Sequence, residues 1–260
     1  MEAEKYNLDT NHPPTLFVGR NYIFLPETTS TNATLKSLYA KSSLPEGTVL
    51  ITSYQTEGRG QAGTTWESEK DTNIMLSVLL YPKFIAVADQ FMISKAMALA
   101  VHDLVSTLLP DTEVNIKWPN DILVSGKKIC GILIENGLKA NAIEYCICGI
   151  GININQWFED QTRTSLKTIT GVEYDLEYLE KQLFSCIEAR YLKLKQNPAA
   201  ISKDYLDVLY GFGKKSKFRI PITDENFEGT ICGINTDGRL MIKTAEGVKI
   251  FGLKEVSLIS

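Results

Sequence analysis

The sequence predicts an α/β (α+β) protein that ends in a small all-β unit. Segments with apolar residues at helical spacing alternate with short β-branched runs over most of the chain. After Gly211-Phe212-Gly213 only short alternating strands follow, punctuated by the turn pairs Asp237-Gly238 and Glu246-Gly247. A length of 260 residues suits one large domain with an appendage. We therefore predict an α/β domain over residues 1–212 and a small β-barrel over residues 213–260.

The predicted elements of the N-terminal half begin after a polar leader over residues 1–20, which holds one short strand at most. The four residues Thr29 to Asn32 are all preferred N-cap types, and apolar residues follow them at helical spacing, so a helix starts here. A long amphipathic helix is expected from Ala88 to Leu109. The strands expected in this half are Thr48–Thr52, Ile74–Leu80 and Val114–Trp118.

The C-terminal half is expected to hold a tight hairpin, one long strand, two helices and the strands of the barrel. The hairpin turns at Ser125-Gly126, a pair that tolerates the backbone of a tight turn. The elements outside the barrel are Ile122–Val124, Ile129–Glu135, the strand Glu144–Asn155, and helices Asp175–Lys195 and Pro198–Leu209. The strands of the barrel are Lys217–Ile220, Gly229–Ile234, Leu240–Lys243 and Val248–Phe251.

The segment from Gly58 to Trp66 contains G-x-G-x-x-G, which is the dinucleotide-binding pattern, but its context is wrong for that function. A strand precedes it, yet the residues that follow lack helical spacing and lead into another strand instead of a helix N-terminus. A P-loop would need Lys after Gly63, where this chain has Thr64. We therefore interpret the segment as a long, flexible loop between two strands, with Arg59 as its one cation.

Composition narrows the classes of function. A net charge of −4 and a pI near 5.4 argue against nucleic acid as the main partner, because DNA and RNA require a basic face. The sequence shows no signal peptide and no run of 18 apolar residues, so a cytoplasmic protein without a membrane span is expected. With two histidines and five scattered cysteines, histidine acid–base chemistry and a zinc site are disfavoured, and buried reduced thiols are expected.

A second candidate site lies at Lys117-Trp118-Pro119-Asn120-Asp121. The strand ends in a lysine, a proline stops it, and an amide and a carboxylate follow at the edge of the sheet. The hairpin then returns Lys128 towards the same edge, and Gly131 leaves room for a ligand close to the backbone. A surface hairpin with solvated lysines is the alternative interpretation.

Together these segments resemble the biotin protein ligase family. The similarity covers about residues 26–160 and rests on five motifs in the same order, each weak alone. The motifs are Ser30-Thr31-Asn32, Gln55 to Trp66, Lys117 to Asp121, Lys128 to Glu135, and Gly149-Ile150-Gly151-Ile152-Asn153. The resemblance implies the mixed sheet flanked by helices of biotin ligases and class II aminoacyl-tRNA synthetases, and it implies that the C-terminal barrel is SH3-like.

The family's chemistry implies that biotin and ATP give biotinyl-5'-AMP and pyrophosphate, and that a lysine of a biotin carboxyl carrier protein domain then attacks the adenylate. Biotin has a polar ureido head, whose buried donors and acceptors must be paired. Two anions meet in the first step, which requires cations in the site. Mg²⁺ is the expected metal, no enzyme nucleophile is needed, and a homodimer is possible.

The resemblance assigns site residues by their match to the family's motifs. The expected catalytic residues are Lys128, Arg59, Lys117 and Asp121, with Asp121 also a candidate Mg²⁺ ligand. The expected biotin-binding residues are Ser30, Thr31, Asn32, Gln55, Gly58, Arg59, Gly60, Gln61, Lys128, Gly131, Leu133, Gly149 and Gly151. The expected ATP- and adenylate-binding residues are Arg59, Gln61, Trp66, Lys117, Asn120, Lys128, Asn153, Asn155 and Trp157.

Structural roles remain open for several of these residues. Ser30-Thr31-Asn32 also suits plain helix capping, Trp157 suits core packing, and Trp66 suits a loop anchor. The chain departs from the family where the glycine loop has Gln61 and Thr64 in place of basic residues. About 25 residues precede the first motif, fewer than the DNA-binding domain of the family's repressor members requires.

Two other functions remain as alternatives. The related fold also supports transfer of lipoate or octanoate, but a simple acyl chain does not need the neutral polar set of Ser30, Thr31 and Gln55. A non-catalytic biotin sensor is the other alternative, and it would be expected to have lost catalytic cations that this chain keeps at Arg59, Lys117 and Lys128.

Overall fold

A computed structural model describes residues 13–259, which form twelve strands and five α-helices. The strands are β1 Tyr22–Leu25, β2 Val49–Thr52, β3 Ile74–Leu80, β4 Val114–Lys117, β5 Asp121–Val124, β6 Lys127–Lys139, β7 Ala142–Ile152, β8 Lys215–Ile220, β9 Glu225–Ile234, β10 Leu240–Thr244, β11 Gly247–Phe251 and β12 Ser257–Ile259. The helices are α1 Thr31–Lys41, α2 Phe91–Leu108, α3 Leu166–Thr170, α4 Leu176–Gln196 and α5 Pro198–Asp207.

The first seven strands form one mixed sheet in the order β1-β2-β3-β7-β6-β5-β4. Only β1 and β2 are parallel, and the other neighbours are antiparallel. Helix α1 contacts β2, β3 and β7, while α2 contacts β4, β5 and β6 and carries α4 and α5 on its outer side. The two resulting apolar clusters are separate, with Leu35 in the smaller one and most α2 side chains in the larger one. The predicted mixed sheet flanked by helices is confirmed.

The apolar composition of helix α2 matches its burial in the core. Within the described part of the chain, the stretch Val87–Leu108 alone is long and apolar enough to cross a membrane, by length and composition only. More than half of that stretch is buried inside the fold. Its small residues, such as Ala96 and Ala100, are fully buried, which lets the helix lie close to the sheet and to α4. The prediction of a helix over 88–109 is confirmed, with its first turn as a short 3-10 segment.

A buried carboxylate fixes the chain ahead of β1. Glu188 of α4 accepts hydrogen bonds from the backbone N–H groups of Leu16, Phe17 and Val18, at 2.7, 2.8 and 3.1 Å. An ionised carboxylate is a strong acceptor, so these contacts hold an otherwise irregular segment against the helix. The part of the predicted polar leader that precedes residue 13 lies outside the described residues. The described part of the predicted leader, residues 13–20, contains no strand, and β1 begins after it at Tyr22.

Glu180 on α4 makes the stability of the fold depend on pH. Burial, followed by the charge of Glu177, raises the pKa of Glu180 to about 7. A carboxyl whose pKa is higher in the folded state stabilises the protein at low pH and loses that contribution as the pH rises through 7. We expect Glu180→Gln to raise the free energy of unfolding at pH 8 by about 1–3 kcal/mol, with little change at pH 4.

Urea unfolding of the two proteins at both pH values measures this difference. Glu225→Gln on β9 changes an exposed carboxylate and serves as the control, because we expect it to leave the difference between pH 4 and pH 8 unchanged. Equal gains at pH 4 and pH 8 for Glu180→Gln would contradict the assignment of the pH dependence to this carboxyl.

The C-terminal residues form a second antiparallel sheet of five strands in the order β11-β10-β9-β8-β12. The four predicted strands are confirmed, and β12 was not predicted. No pairing joins the two edge strands β11 and β12 within the described residues, so the sheet is open and a closed barrel is not confirmed. Its turn at Gly238 packs against Phe91 of α2, and the Gly238 carbonyl accepts a hydrogen bond of 2.9 Å from Trp118 Nε1. The second sheet is thereby attached beside the β4–β5 turn.

One prediction of local structure needs correction, and one helix was not predicted. Ser30 occupies the N-cap of α1, but its side chain makes no capping hydrogen bond. Instead, Gln55 Oε1 accepts from the Thr31 backbone N–H at 2.8 Å, so the cap comes from a distant segment. The helix that was not predicted is α3, a short helix that the sequence interpretation missed because its one buried apolar residue, Leu166, gives no periodic pattern.

Candidate active site

A cavity lies over the seven-stranded sheet, where α1 begins and the Gly58–Trp66 segment folds back on β6 and β7. It encloses about 240 Å³, slightly below the range of about 300–1,000 Å³ for small-molecule pockets. Its volume therefore suits one small organic molecule. The lining residues are Ser30, Thr31, Asn32, Gln55, Arg59, Gly60, Gln61, Thr64, Thr65, Trp66, Leu76, Pro119, Asn120, Asp121, Lys128, Gly131, Ile132, Leu133, Gly149, Ile150, Gly151 and Lys254.

An ion pair joins the two central charged residues of the cavity. Lys128 Nζ lies 2.7 Å from Asp121 Oδ1, and both side chains are about one-third exposed. The tight β5–β6 turn, with positive φ at Ser125 and Gly126, brings Lys128 back beside the end of β4 as predicted. Asn120 is buried next to this pair and donates its amide N–H to the Ile132 carbonyl. The ion pair with Asp121 holds the Lys128 ammonium in a defined position at the cavity.

The buried end of the cavity carries neutral polar groups. Gln55 Oε1 accepts from the backbone N–H of Thr31 and, at 3.2 Å, from its hydroxyl. The amide acceptor is thereby occupied, while the Nε2 donors of Gln55 remain available to a ligand. The Ser30 hydroxyl makes no capping bond and lines the same end of the cavity. This end offers donors and acceptors without net charge.

Asn32 lines the cavity, but its amide is already committed to the protein. Its Oδ1 accepts from Ser77 Oγ at 2.6 Å, and its Nδ2 donates to Glu135 Oε2 at 2.8 Å and to the Leu133 carbonyl at 3.3 Å. A Cβ atom at Gly149 would collide with the Asn32 amide. Asn32 therefore connects α1 to β3 and β6, which supports a positioning role for this predicted biotin-binding residue.

Two glycines leave room on the sheet for the side chain of Trp66. Gly131 of β6 and Gly151 of β7 are register partners, and the indole ring lies across them. A Cβ atom at Gly151 would lie 2.5 Å from the ring, and one at Gly131 would lie 3.3 Å from it. The indole Nε1 is buried and makes no hydrogen bond within the described residues. Trp66 is thus a wall of the cavity as well as an anchor of its loop.

The glycine-rich segment joins β2 to β3, as predicted, and its two arms pair as a hairpin, which was not predicted. Trp66 N–H donates to the Gly58 carbonyl at 3.0 Å, Gly60 N–H donates to the Thr64 carbonyl at 2.7 Å, and a 3-10 turn closes the end. Side chains at Gly58 and Gly60 would collide with the opposite arm. The two glycines therefore allow the arms of the hairpin to lie close together. Arg59, on this hairpin, is exposed at the mouth of the cavity.

Five predicted site residues do not line the cavity. Gly58 lines a neighbouring cleft, together with Glu57 and Glu135. Lys117 is exposed and is the register partner of Asp121 in the β4–β5 pair. The other three are Asn153, whose amide donates to the Thr164 carbonyl, Asn155, which bonds to Tyr174, and Trp157, which is mostly exposed. The remaining predicted residues line one cavity, although they come from five separate segments.

The sequence interpretation missed several lining residues. Leu76, Ile132 and Ile150 are apolar strand residues, which periodicity places in a sheet but not in a site. Lys254 comes from the turn after β11, far from the other motifs in sequence. No local pattern marks Lys254, because its position depends on how the second sheet docks.

The described residues contain no group of three His, Cys, Asp or Glu side chains arranged for a metal ion. Asp121 is a single carboxylate already paired with Lys128. Mg²⁺ usually binds through one or two carboxylates together with substrate phosphates. The protein residues alone therefore do not fit a preformed Mg²⁺ site, and the predicted Asp121 ligand stays a prediction.

The cavity is electropositive in a protein whose net charge is −4. Its charged lining residues are Arg59, Lys128, Lys254 and Asp121, and the last of these neutralises Lys128. Positive charge at the mouth and neutral polar groups at the closed end fit a small acid whose carboxylate faces a phosphate. Fold and site together define a ligase that activates a small carboxylic acid.

The comparison with known proteins agrees with this class. Residues 24–153 match the Biotin/lipoate A/B protein ligase family, and the chain belongs to this family.

Named proteins to which the chain is similar support the same class of protein. The chain is 31% identical to the bifunctional ligase/repressor BirA of Bacillus spizizenii over 89% of its length and 72% of that protein. It is 30% identical to the biotin–[acetyl-CoA-carboxylase] ligase of Mycobacterium tuberculosis, covering 85% of this chain and 86% of that one. The biotin protein ligase of Aquifex aeolicus, solved with biotin and ATP, aligns at a TM-score of 0.75 and 27% identity over 92% of this chain and 99% of that chain.

Proposed function

We propose that this protein is a biotin protein ligase that uses ATP to attach biotin to a lysine of a biotin carboxyl carrier protein domain. The observation that carries the proposal is one cavity with neutral polar groups at its buried end and Lys128 with Arg59 towards its mouth. The names of the relatives, which include biotin–[acetyl-CoA-carboxylase] ligase, support biotin as the acid and a carboxyl carrier as the acceptor.

In the first step, a carboxylate oxygen of biotin attacks the α-phosphorus of ATP. The bond between the α- and β-phosphates breaks, and pyrophosphate leaves. Lys128 Nζ is suited to bridge the carboxylate and the α-phosphate, because its ammonium reduces the repulsion between two anions. Asp121 orients this ammonium at 2.7 Å, and Arg59 adds a charge from the hairpin side. Mg²⁺, if bound with ATP, would neutralise phosphate charge.

In the second step, the neutral amine of the acceptor lysine attacks the carbonyl carbon of biotinyl-5'-AMP. An amide bond forms, the bond to the phosphate oxygen breaks, and AMP leaves. The proton lost by the amine needs an acceptor, and the Asp121 carboxylate faces the same region as Lys128. No enzyme nucleophile takes part.

Substitution of Gln55 tests whether this residue binds the ureido head of biotin. We expect Gln55→Ala to raise the KM for biotin about tenfold through loss of a buried hydrogen bond, with the KM for ATP changed much less. Pyrophosphate exchange at varied biotin and varied ATP gives both constants. Thr56→Ala is the control, because this neighbouring side chain is exposed and does not line the cavity. An equal rise in both constants would contradict a specific contact with biotin.

The deciding experiment is ATP–pyrophosphate exchange with biotin, lipoate and octanoate in turn. Exchange that depends on biotin supports the proposal. Exchange with lipoate or octanoate alone would identify the other acid specificity within the family. Absence of exchange, with biotin still bound, would favour a sensor.

The finer parts of the assignment remain proposals that the fold supports. We propose a catalytic domain over residues 1–212 and a C-terminal domain over residues 213–260, related to SH3-like barrels but open between β11 and β12. We also propose a cytoplasmic location. We propose that the protein acts without DNA or a membrane as partner and that it forms a homodimer.

A further inference from the structure

Lys128 lies where strand β6 loses the regular pairing of its two neighbours. Between the register pairs Ile122–Cys130 and Leu123–Lys128, β6 holds one residue more than β5. Such a bulge locally interrupts the hydrogen-bonded ladder. On the other side of β6, strand β7 ends at Ile152, which is the partner of Cys130. The regular sheet alone therefore does not fix the backbone of Lys128.

The segment that follows β7 takes the place of the missing strand. The Lys128 N–H donates to the Thr162 carbonyl at 2.8 Å, and the Thr164 N–H donates to the Lys128 carbonyl at 2.9 Å. These two bonds form an isolated parallel bridge between Lys128 and Arg163. Both backbone groups of the proposed catalytic lysine are thereby held by residues 162–164.

The carboxylate of Asp160 shapes this segment, which belongs to no helix or strand. Its Oδ1 accepts from the backbone N–H groups of Thr162 and Arg163, at 2.8 and 2.6 Å, and from the Thr162 hydroxyl at 3.0 Å. Its Oδ2 accepts from Arg163 Nε at 2.8 Å. The hydrogen bonds from Arg163, its side chain first, and from Thr162 hold the pKa of Asp160 well below its usual range. The group is therefore an ionised, strong acceptor at neutral pH.

The side chain of Arg163 connects the same segment to the rest of the domain. Its guanidinium lies 5.1 Å from the centre of the Phe158 ring, which is buried. Its Nη1 lies 3.8 Å from Glu67 Oε2, directly after the Gly58–Trp66 hairpin. Asp160 thus orients a residue that contacts the core with its side chain and bridges to Lys128 with its backbone.

We propose that Asp160 is a positioning residue for Lys128. It acts through the backbone of Thr162 and Arg163, and it does not line the cavity. The position of an ammonium between two reacting anions matters because a displacement of about 1 Å can cost about 100-fold in rate. The inference rests on the proposed function, since it assigns Asp160 to the reaction in which Lys128 takes part.

Two measurements on the full chain test the proposal. Amide hydrogen exchange, followed by NMR, reports on the bond from Lys128 N–H, and we expect Asp160→Ala to speed exchange at this amide about tenfold. Biotin-dependent pyrophosphate exchange reports on the reaction, and we expect its kcat to fall about tenfold with the KM for biotin changed less than twofold. Asp160→Asn should retain most of the activity, because its amide oxygen still accepts from the two backbone N–H groups.

A double variant separates positioning of Lys128 from general loosening of the fold. In the Lys128→Ala background, Asp160→Ala should cause no further loss of rate, because the residue through which it acts is gone. Glu159→Ala is the matched control, since it removes an exposed carboxylate one position earlier that does not line the cavity. Thermal unfolding checks that each variant is folded. If Asp160→Ala is not folded, Asp160→Glu, which displaces the carboxylate by one methylene, is measured in its place.

Wild-type hydrogen exchange at Lys128 in the Asp160 variant would overturn the inference. Additive losses in the double variant, or equal losses for Glu159→Ala, would overturn it as well. A wild-type protein that does not catalyse biotin-dependent exchange, but whose Lys128 amide is still protected through Asp160, would overturn the proposed function and leave the structural link intact.

Discussion

Replacing Lys128 by alanine is expected to reduce biotinyl-adenylate formation by about 100- to 1,000-fold, equivalent to about 2.7–4 kcal/mol of lost transition-state stabilisation. The ammonium lies 2.7 Å from Asp121 at the centre of the cavity, where carboxylate and α-phosphate would meet. Its removal also leaves the Asp121 carboxylate without its cation, which adds repulsion towards both substrates. Biotin-dependent pyrophosphate exchange measures the loss.

Lys127→Ala provides a matched control for this variant. Lys127 is the adjacent residue of β6, and its ammonium points to the Asp160 carbonyl at 3.4 Å, away from the cavity lining. We expect it to change the exchange rate less than twofold, because this partly exposed charge does not line the cavity. Near-normal exchange by Lys128→Ala would refute the assigned role.

A single methyl group at Gly151 is expected to weaken biotin binding by about 5- to 150-fold, which corresponds to a cost of overpacking of about 1–3 kcal/mol. The new Cβ atom would lie 2.5 Å from the rigid indole of Trp66, so the ring has to move away from its place over Gly131 and Gly151. Its displacement moves the wall of the cavity and the hairpin that carries Arg59. Equilibrium binding of labelled biotin to Gly151→Ala measures the effect.

Gly233→Ala on β9 is the control for the general cost of alanine in a strand. A Cβ atom there meets only Met241 Sδ at 3.7 Å, an ordinary contact. Biotin affinity should be unchanged in this variant. Wild-type affinity in Gly151→Ala would show that the indole can move without cost and that Trp66 does not shape the pocket.

Local patterns were sufficient to predict most elements and the central pair of the site. Alternating apolar residues with a Ser125-Gly126 turn predict the β5–β6 hairpin, and that hairpin alone brings Lys128 near Asp121. Helix α1 was predicted from its dense cap residues and the spacing after them. In these cases the determining interactions lie within a few residues of one another.

Features that depend on distant segments could not be predicted in this way. Gln55 caps α1 across 24 positions, and Asn32 contacts β6 more than 100 positions away. Alternating strands after residue 213 predict a sheet, but closure depends on the relative placement of β11 and β12. The position of Lys254 in the cavity lining depends on how the two sheets dock, which no sequence spacing encodes.

The bond between Trp118 and the Gly238 carbonyl has a consequence for exchanging parts between related ligases. One partner belongs to the β4–β5 turn and the other to the C-terminal sheet, so replacing one segment alone can disrupt this contact. A chimera that takes its C-terminal residues from another ligase should retain activity only when the donor's β4–β5 turn is transplanted with them. We therefore expect these two segments, which are separated by about half of the chain, to be exchangeable only as a pair.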